Sequence, residues 1–366
     1  MRLSDIPTPA VLVESSRLAR NLDRMQQAAS ARGLRLRPHA KTHKSPRIAA
    51  MQIRRGAVGI CCAKVGEAEV FAGAGIEDIR IPYPLHPVNA DRVFALADRV
   101  RLSFIVDDPA IAEAWSERAR QRGRKLSVLV KVDVGFHRCG IDPAAASAPA
   151  TVRTVAALPG LDFRGLLSHA GHAYSATTDE ELARIASFEA GLLRDLAQRS
   201  GVECAEISVG STPTARFSVK ENGLTELRPG NYAYFDRTQV GLGAATFDDC
   251  ALTVLARVVT THPGRLILDC GSKTLSSDLT RGAAGHGVVL RSIDTAVPDE
   301  SLVIERLSEE HAVVATQSPS RLGPGDLVRV VPNHSCVVSN LVDQVWIVEG
   351  NDVVGRMDVA ARGRIT

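Results

Sequence analysis

Aromatic side chains make up only 4% of the 366 residues, and 44 Lys and Arg nearly balance 41 Asp and Glu. Nucleic-acid binding usually shows as a cationic face with interleaved aromatics. A net charge of +3 and no long Lys/Arg run leave that class without support. No apolar stretch approaches the roughly 20 residues that span a bilayer, so no membrane partner is expected. The seven cysteines, Cys61, Cys62, Cys139, Cys204, Cys250, Cys270 and Cys336, contain no CxxC. Scattered thiols make neither a disulfide framework nor a zinc ribbon and read as buried groups in a reducing compartment. The opening Met1-Arg2-Leu3-Ser4-Asp5-Ile6-Pro7 has no apolar signal core. The expectation is a cytoplasmic protein.

What is present is ordinary globular composition, 45% hydrophobic and 23% charged, in a chain too long for one ordinary core. Strand patterns at 34–41, 57–63, 78–84, 101–107, 126–134, 161–169, 206–210 and 226–231 alternate with helical ones such as 110–122, 144–157 and 179–199. Several strands are short continuous apolar runs, for example Ser127-Val128-Leu129-Val130, as parallel strands buried on both faces require. Eight such units predict an α/β fold with a (β/α)8 barrel, preferred on strand count to a doubly wound sheet. From Asp249 onward strands dominate, punctuated by turns such as Gly323-Pro324-Gly325-Asp326. The expected division is a barrel over 14–240 and a β-rich domain formed by 1–13 with 241–366.

Active-site residues of such a barrel sit at the C-terminal ends of its strands. The first expected strand runs into Arg37-Pro38-His39-Ala40-Lys41-Thr42-His43-Lys44. A lysine at the end of a buried strand, among cations, is suited to covalent chemistry because burial and like charge free its amine. A basic surface turn is the plainer alternative for the octapeptide alone. Gly210-Ser211-Thr212-Pro213-Thr214 follows the seventh strand and Gly230-Asn231 the eighth. Loops at these two places commonly cradle a phosphate through backbone N–H groups. A lysine opposite a phosphate cradle on a barrel suggests pyridoxal phosphate.

A second constellation is Val331-Pro332-Asn333-His334-Ser335-Cys336. In an extended segment His334 and Cys336 share a face, and an imidazole with a thiolate can chelate a divalent ion. A buried cysteine beside a hydrogen-bonded histidine is the plainer alternative. Asp269-Cys270-Gly271-Ser272-Lys273 and Glu309-Glu310-His311 could line the same cleft or be solvated turns.

The octapeptide around Lys41 resembles the pyridoxal-phosphate lysine segment of the D-threonine aldolase and eukaryotic-type D-serine dehydratase family, fold-type III enzymes with an alanine racemase-like barrel. The likeness continues through Gly59 to Glu69, Val132-Asp133-Val134-Gly135 with Arg138, Gly210 to Thr214, Leu227 to Tyr232, Asp269 to Asp278 and Pro332 to Cys336, so it covers nearly the whole chain. The resemblance implies that Lys41 carries the cofactor covalently and that Ser211, Thr212, Gly230 and Asn231 hold its phosphate. It places Arg138, Tyr174 and Tyr232 around the cofactor, and gives His334 and Cys336 a divalent metal, zinc, manganese or magnesium. It implies a homodimeric lyase acting on a small-molecule substrate, a D-configured β-hydroxy amino acid. Retro-aldol cleavage is the expected reaction, with His169, His172 or a metal-bound hydroxide as base. Elimination to a keto acid and ammonia is the alternative, because aldolase members usually carry H-x-D at the metal whereas this chain has the dehydratase-like H-x-C. A racemase, a pyridoxal-phosphate carrier and a sugar-phosphate-binding barrel complete the range of functions.

Overall fold

The computed structural model describes residues 1–317 and 320–366, in two compact units. One unit comprises Met25–Lys41, Pro46–Gly230 and Arg364–Thr366. Its strands, in chain order, are Arg35–Leu36, Ile60–Cys61, Asp78–Pro84, Arg101–Val106, Leu126–Lys131, Leu161–Leu167, Glu206–Val209 and Glu226–Leu227. All seven pairings are parallel and follow chain order, with the first strand beside the eighth. A parallel bridge between His39 and Cys61 links the first strand's end to the second, so the sheet closes into the expected (β/α)8 barrel. Ile105, Leu129 and Leu167, from three neighbouring strands, form a buried apolar cluster.

Several boundaries differ from expectation. The first strand ends at Leu36 rather than running to Lys41, which lies in a 3-10 turn, Ala40–Thr42. Pro38 has no N–H to give to a ladder, and the chain turns soon after it. The Lys41 side chain is exposed, so the buried ammonium predicted at a strand end is corrected to a lysine presented on a turn.

The other unit comprises Met1–Arg24, Thr42–Ser45 and Asn231–Gly363. Its nine-stranded, mainly antiparallel sheet is centred on Leu252–His262. The N-terminal strand Ala10–Glu14 pairs antiparallel with that strand and parallel with Gln344–Glu349. Leu3, Ile6, Leu12, Leu255 and Val348 pack together beneath it. No helix among the described residues is long and apolar enough to cross a membrane.

Candidate active site

In the barrel unit the sequence-predicted groups gather at the C-terminal strand ends. Main-chain bonds fix the lysine loop: His39 N donates to Pro229 O at 2.9 Å and Cys61 N to Pro38 O at 2.8 Å. His169 follows the sixth strand and its Nδ1 contacts the carbonyl of Gly210. A carbonyl only accepts, so this contact assigns the ring proton to Nδ1 and leaves the lone pair on Nε2. Burial, and then the Lys41 charge, push the His169 pKa well below the usual histidine range. The imidazole is therefore neutral at neutral pH.

Ser211 and Thr212 follow the seventh strand and are 5% and 4% exposed. Their Oγ and Oγ1 atoms are buried with no hydrogen-bond partner among the described residues. Buried hydroxyls left unsatisfied are costly, and two side by side suit an anion that accepts from both. The glycine before them is required by space. A Cβ on Gly210 would lie 2.9 Å from the Cβ of Arg228 and 3.0 Å from its carbonyl oxygen.

Arg138 is exposed, and its guanidinium sits 4.9 Å from the centroid of the Phe136 ring. That ring meets His169 edge-on at 5.9 Å. His172 lies in the next turn, Gly171–Ser175, with Tyr174. Its charged neighbours are Asp133 and His137 rather than Lys41, so the structure associates His169 with the lysine and places His172 beside the Asp133 loop.

Three buried charged groups of this unit lie outside the residues singled out from sequence. Arg228 donates from Nε to Ser208 Oγ at 2.8 Å and also reaches the Ser168 carbonyl. Ser168 Oγ donates to Glu189 Oε1 at 2.6 Å. Lys131, at the end of the fifth strand, gives its Nζ to Val132 O at 3.1 Å. Burial and then Arg228 lower the Lys131 pKa, and burial raises that of Glu189. Arg228 stands inside a segment read for Gly230, Asn231 and Tyr232, and an arginine two residues before the phosphate-loop glycine was the signal to follow.

In the β-rich unit the predicted extended geometry of His334 to Cys336 is corrected. His334 is the N-cap of a helix, Ser335–Leu341. The Asp236 carboxylate starts that helix by accepting from Ser335 N at 2.9 Å and Ser335 Oγ at 3.3 Å. The two side chains nevertheless hydrogen-bond each other. Burial disfavours the charged form of each, but mutual attraction outweighs it, raising His334 and lowering Cys336. Asp278 Oδ2 lies 2.9 Å from His334 Nδ1, which leaves Nε2 for a metal in the carboxylate-oriented manner of metal-binding histidines. Cys336 Sγ lies 3.2 Å from Thr42 Oγ1, and Asn231 Nδ2 lies 3.5 Å from the same sulfur. Asn231 Nδ2 also donates to Asp236 Oδ2 at 2.6 Å. Tyr232 is buried in the turn Asn231–Ala233.

A thiolate and an oriented imidazole fit a divalent ion of borderline softness. Among the described residues no group of three or more His, Cys, Asp or Glu is arranged to hold a metal. The protein therefore offers two donors, and the remaining positions would fall to water or substrate.

Comparison with known proteins gives two adjoining matches. Residues 13–238 match the alanine racemase N-terminal domain and residues 251–348 a putative serine dehydratase domain. The chain is 33% identical to D-threo-3-hydroxyaspartate dehydratase of Delftia sp. strain HT23, across 91% of this chain and 92% of that one. It is 34% identical to D-threonine aldolase of Arthrobacter sp., across 99% and 94%. A solved structure of a D-threo-3-hydroxyaspartate dehydratase, a cysteine-to-alanine variant in the metal-free form, aligns with a TM-score of 0.91 and 31% identity over 98% of this chain and 99% of its own.

Proposed function

The chain belongs to the D-threonine aldolase and D-serine dehydratase family, and from that premise we propose that it is a pyridoxal-phosphate- and divalent-metal-dependent lyase that cleaves the Cα–Cβ bond of D-configured β-hydroxy amino acids to glycine and an aldehyde. In this reading Lys41 holds the cofactor covalently, and Ser211, Thr212, Gly230 and Asn231 bind its phosphate. Arg138, Tyr174 and Tyr232 surround it, and His334 and Cys336 hold the metal. When bound, pyridoxal phosphate supplies a sink for the electron pair released at Cα, and the metal a Lewis acid for the β-oxygen.

The observation that carries the cleavage reading is His169: neutral, with its proton fixed on Nδ1 by Gly210 and its Nε2 lone pair free. Nε2 takes the β-hydroxyl proton as the Cα–Cβ bond breaks and the Cβ–O bond becomes a carbonyl. Lys41 then returns a proton to Cα, giving glycine. One observation favours elimination as a second reading. Cys336 is held toward its thiolate by His334, and a relative named as a dehydratase has been solved metal-free as a cysteine-to-alanine variant. In that case Lys41 takes the Cα proton and the β-hydroxyl leaves.

The test is the protein supplied with pyridoxal phosphate and Zn²⁺ or Mn²⁺, given D-threonine and D-serine separately. Acetaldehyde with glycine is the expected result. Pyruvate with ammonia from D-serine would replace it with the second reading, and neither product from these or from D-3-hydroxyaspartate would remove both.

The unsatisfied hydroxyls give a prediction with opposite signs. Ser211→Ala and Thr212→Ala each remove a buried donor that has no partner among the described residues. Each is expected to leave the cofactor-free protein as stable as before or slightly more so. Each should weaken pyridoxal-phosphate binding by about 10-fold or more, the value of a hydrogen bond to a charged group. A cofactor titration with a thermal melt of the cofactor-free form measures both.

A further inference from the structure

The turn that carries His169 leaves the sixth strand, Leu161–Leu167, and leads toward the long helix Asp179–Ser200. The contact of Nδ1 with the Gly210 carbonyl fixes one point of the imidazole. A ring held at one point can still tilt about that contact, so the direction of its other nitrogen needs a second support. The Phe136 ring supplies it. The two rings meet at 5.9 Å between centroids and 90° between planes, the edge-to-face arrangement that aromatic rings prefer.

Phe136 is itself held from two sides. Its main-chain N donates to Asp133 Oδ1 at 3.0 Å, as do Gly135 N and His137 N. Its ring lies against Gly171, whose N donates to the His169 carbonyl at 2.9 Å. A Cβ on Gly171 would stand 2.5 Å from Phe136 Cε1 and 2.7 Å from Cδ1 and Cζ. Gly171 opens a 3-10 turn and does not take the left-handed backbone that favours glycine. The backbone there would accept a Cβ; the ring would not. The Arg138 guanidinium also rests on this ring, 4.9 Å from its centroid, a cation–π distance. One aromatic side chain thus touches the base, the turn that carries the base, and the arginine assigned to the cofactor's surroundings.

We infer that Phe136 is a positioning residue for the proposed cleavage: its ring sets the tilt of the His169 imidazole, and so the direction from which Nε2 meets the β-hydroxyl. The inference rests on His169 being the base of that reaction. The same ring shields the imidazole from water. Burial is the first cause of the depressed His169 pKa, and the charged groups that act on it are Lys41, Lys131 and Arg228. Loss of the ring leaves those three cations in place and admits water, so the pKa rises toward the ordinary histidine value. A ring that merely filled space at the rim, 37% exposed as Phe136 is, would leave that titration where it was.

Phe136→Leu, Phe136→Tyr and Gly171→Ala test this from both sides of the contact. Histidine NMR of the cofactor-free protein should show the His169 pKa raised in Phe136→Leu, and raised in Gly171→Ala, whose Cβ displaces the ring. It should be unmoved in Phe136→Tyr, which keeps the ring. In the holoenzyme with Zn²⁺ and D-threonine, Phe136→Leu and Gly171→Ala should each lower kcat by about 10- to 100-fold, the cost of a misplaced reacting group. KM should stay within about threefold, because the contact acts on the chemical step rather than on substrate binding. Phe136→Tyr should recover kcat to within about threefold of the native value. A His169 pKa at its native value in both Phe136→Leu and Gly171→Ala, or a Phe136→Tyr enzyme as slow as Phe136→Leu, would overturn the inference. The NMR arm needs no turnover, so a native protein without lyase activity would remove the proposed reaction while the titration still decides whether Phe136 holds His169.

Discussion

Replacing Lys41 with alanine is expected to abolish covalent retention of pyridoxal phosphate and to lower turnover by at least about 10³-fold, within the range for a residue that is both nucleophile and proton carrier. The loss should be local. The loop is built by main-chain bonds, from His39 N to Pro229 O and from Cys61 N to Pro38 O. The Lys41 side chain is exposed, so its removal opens no cavity, and the cofactor-free melting temperature should hold within about 2 °C. One neighbour should respond. The Lys41 cation is second to burial among the causes that depress His169, so the variant's His169 pKa should move up toward the ordinary value while staying below it. Borohydride reduction followed by intact mass reads retention, and histidine NMR reads the shift. A cofactor mass still gained by the variant would move the attachment elsewhere, with the buried Lys131 the first place to look.

The barrel was legible because parallel strands buried on both faces are written as apolar runs, and Val128, Leu129 and Val130 are all fully buried. The long helix was legible through its 3.6-residue period and its boundary signals, Thr178 before and Gly201 after. Strand ends were not. The expected first strand over 34–41 is two residues long, since an apolar pattern does not report where the hydrogen-bond ladder stops. His334 and Cys336 were found as a pair, but through an extended geometry they do not have. What makes the helix there is Asp236, 99 residues away, and no local pattern encodes a cap supplied from that distance. Likewise Arg228, Lys131 and Glu189 meet only through the closure of the barrel.

The same limit hides the charge network at the opposite end of the barrel strands, and it yields the largest expected effect on stability. Glu226 opens the eighth strand and is 0% exposed. Its Oε1 accepts from Arg80 Nη1 at 2.5 Å and Ser208 Oγ at 2.7 Å, and its Oε2 from Arg37 Nε at 2.8 Å. Arg80 also donates to Glu206 Oε2 at 2.7 Å and Ser103 Oγ at 2.9 Å, and Arg37 pairs with Asp78. The carboxylates Glu226, Glu206 and Asp78 are each the first residue of their strand, on the stability face of a barrel, and Arg37 reaches them from just beyond the end of its own strand. Glu226→Gln keeps the shape and removes the charge, leaving two buried guanidiniums short of a counterion. Breaking a buried pair from one side costs about 3–5 kcal/mol, so the barrel transition should fall by roughly 10 °C or more. The pH dependence fixes the cause. Burial alone would raise the Glu226 pKa, but Arg80 and Arg37 outweigh it and hold the carboxyl down at about 2, against an ordinary 4.5. A depressed carboxylate contributes its full stabilisation above the unfolded value and loses it as pH falls toward the folded one. The gap between native and Glu226→Gln melting temperatures should therefore be constant above about pH 5 and narrow steadily from there toward pH 2. A gap that stays the same throughout that acid range would mean that the substitution acts through packing rather than through the charge.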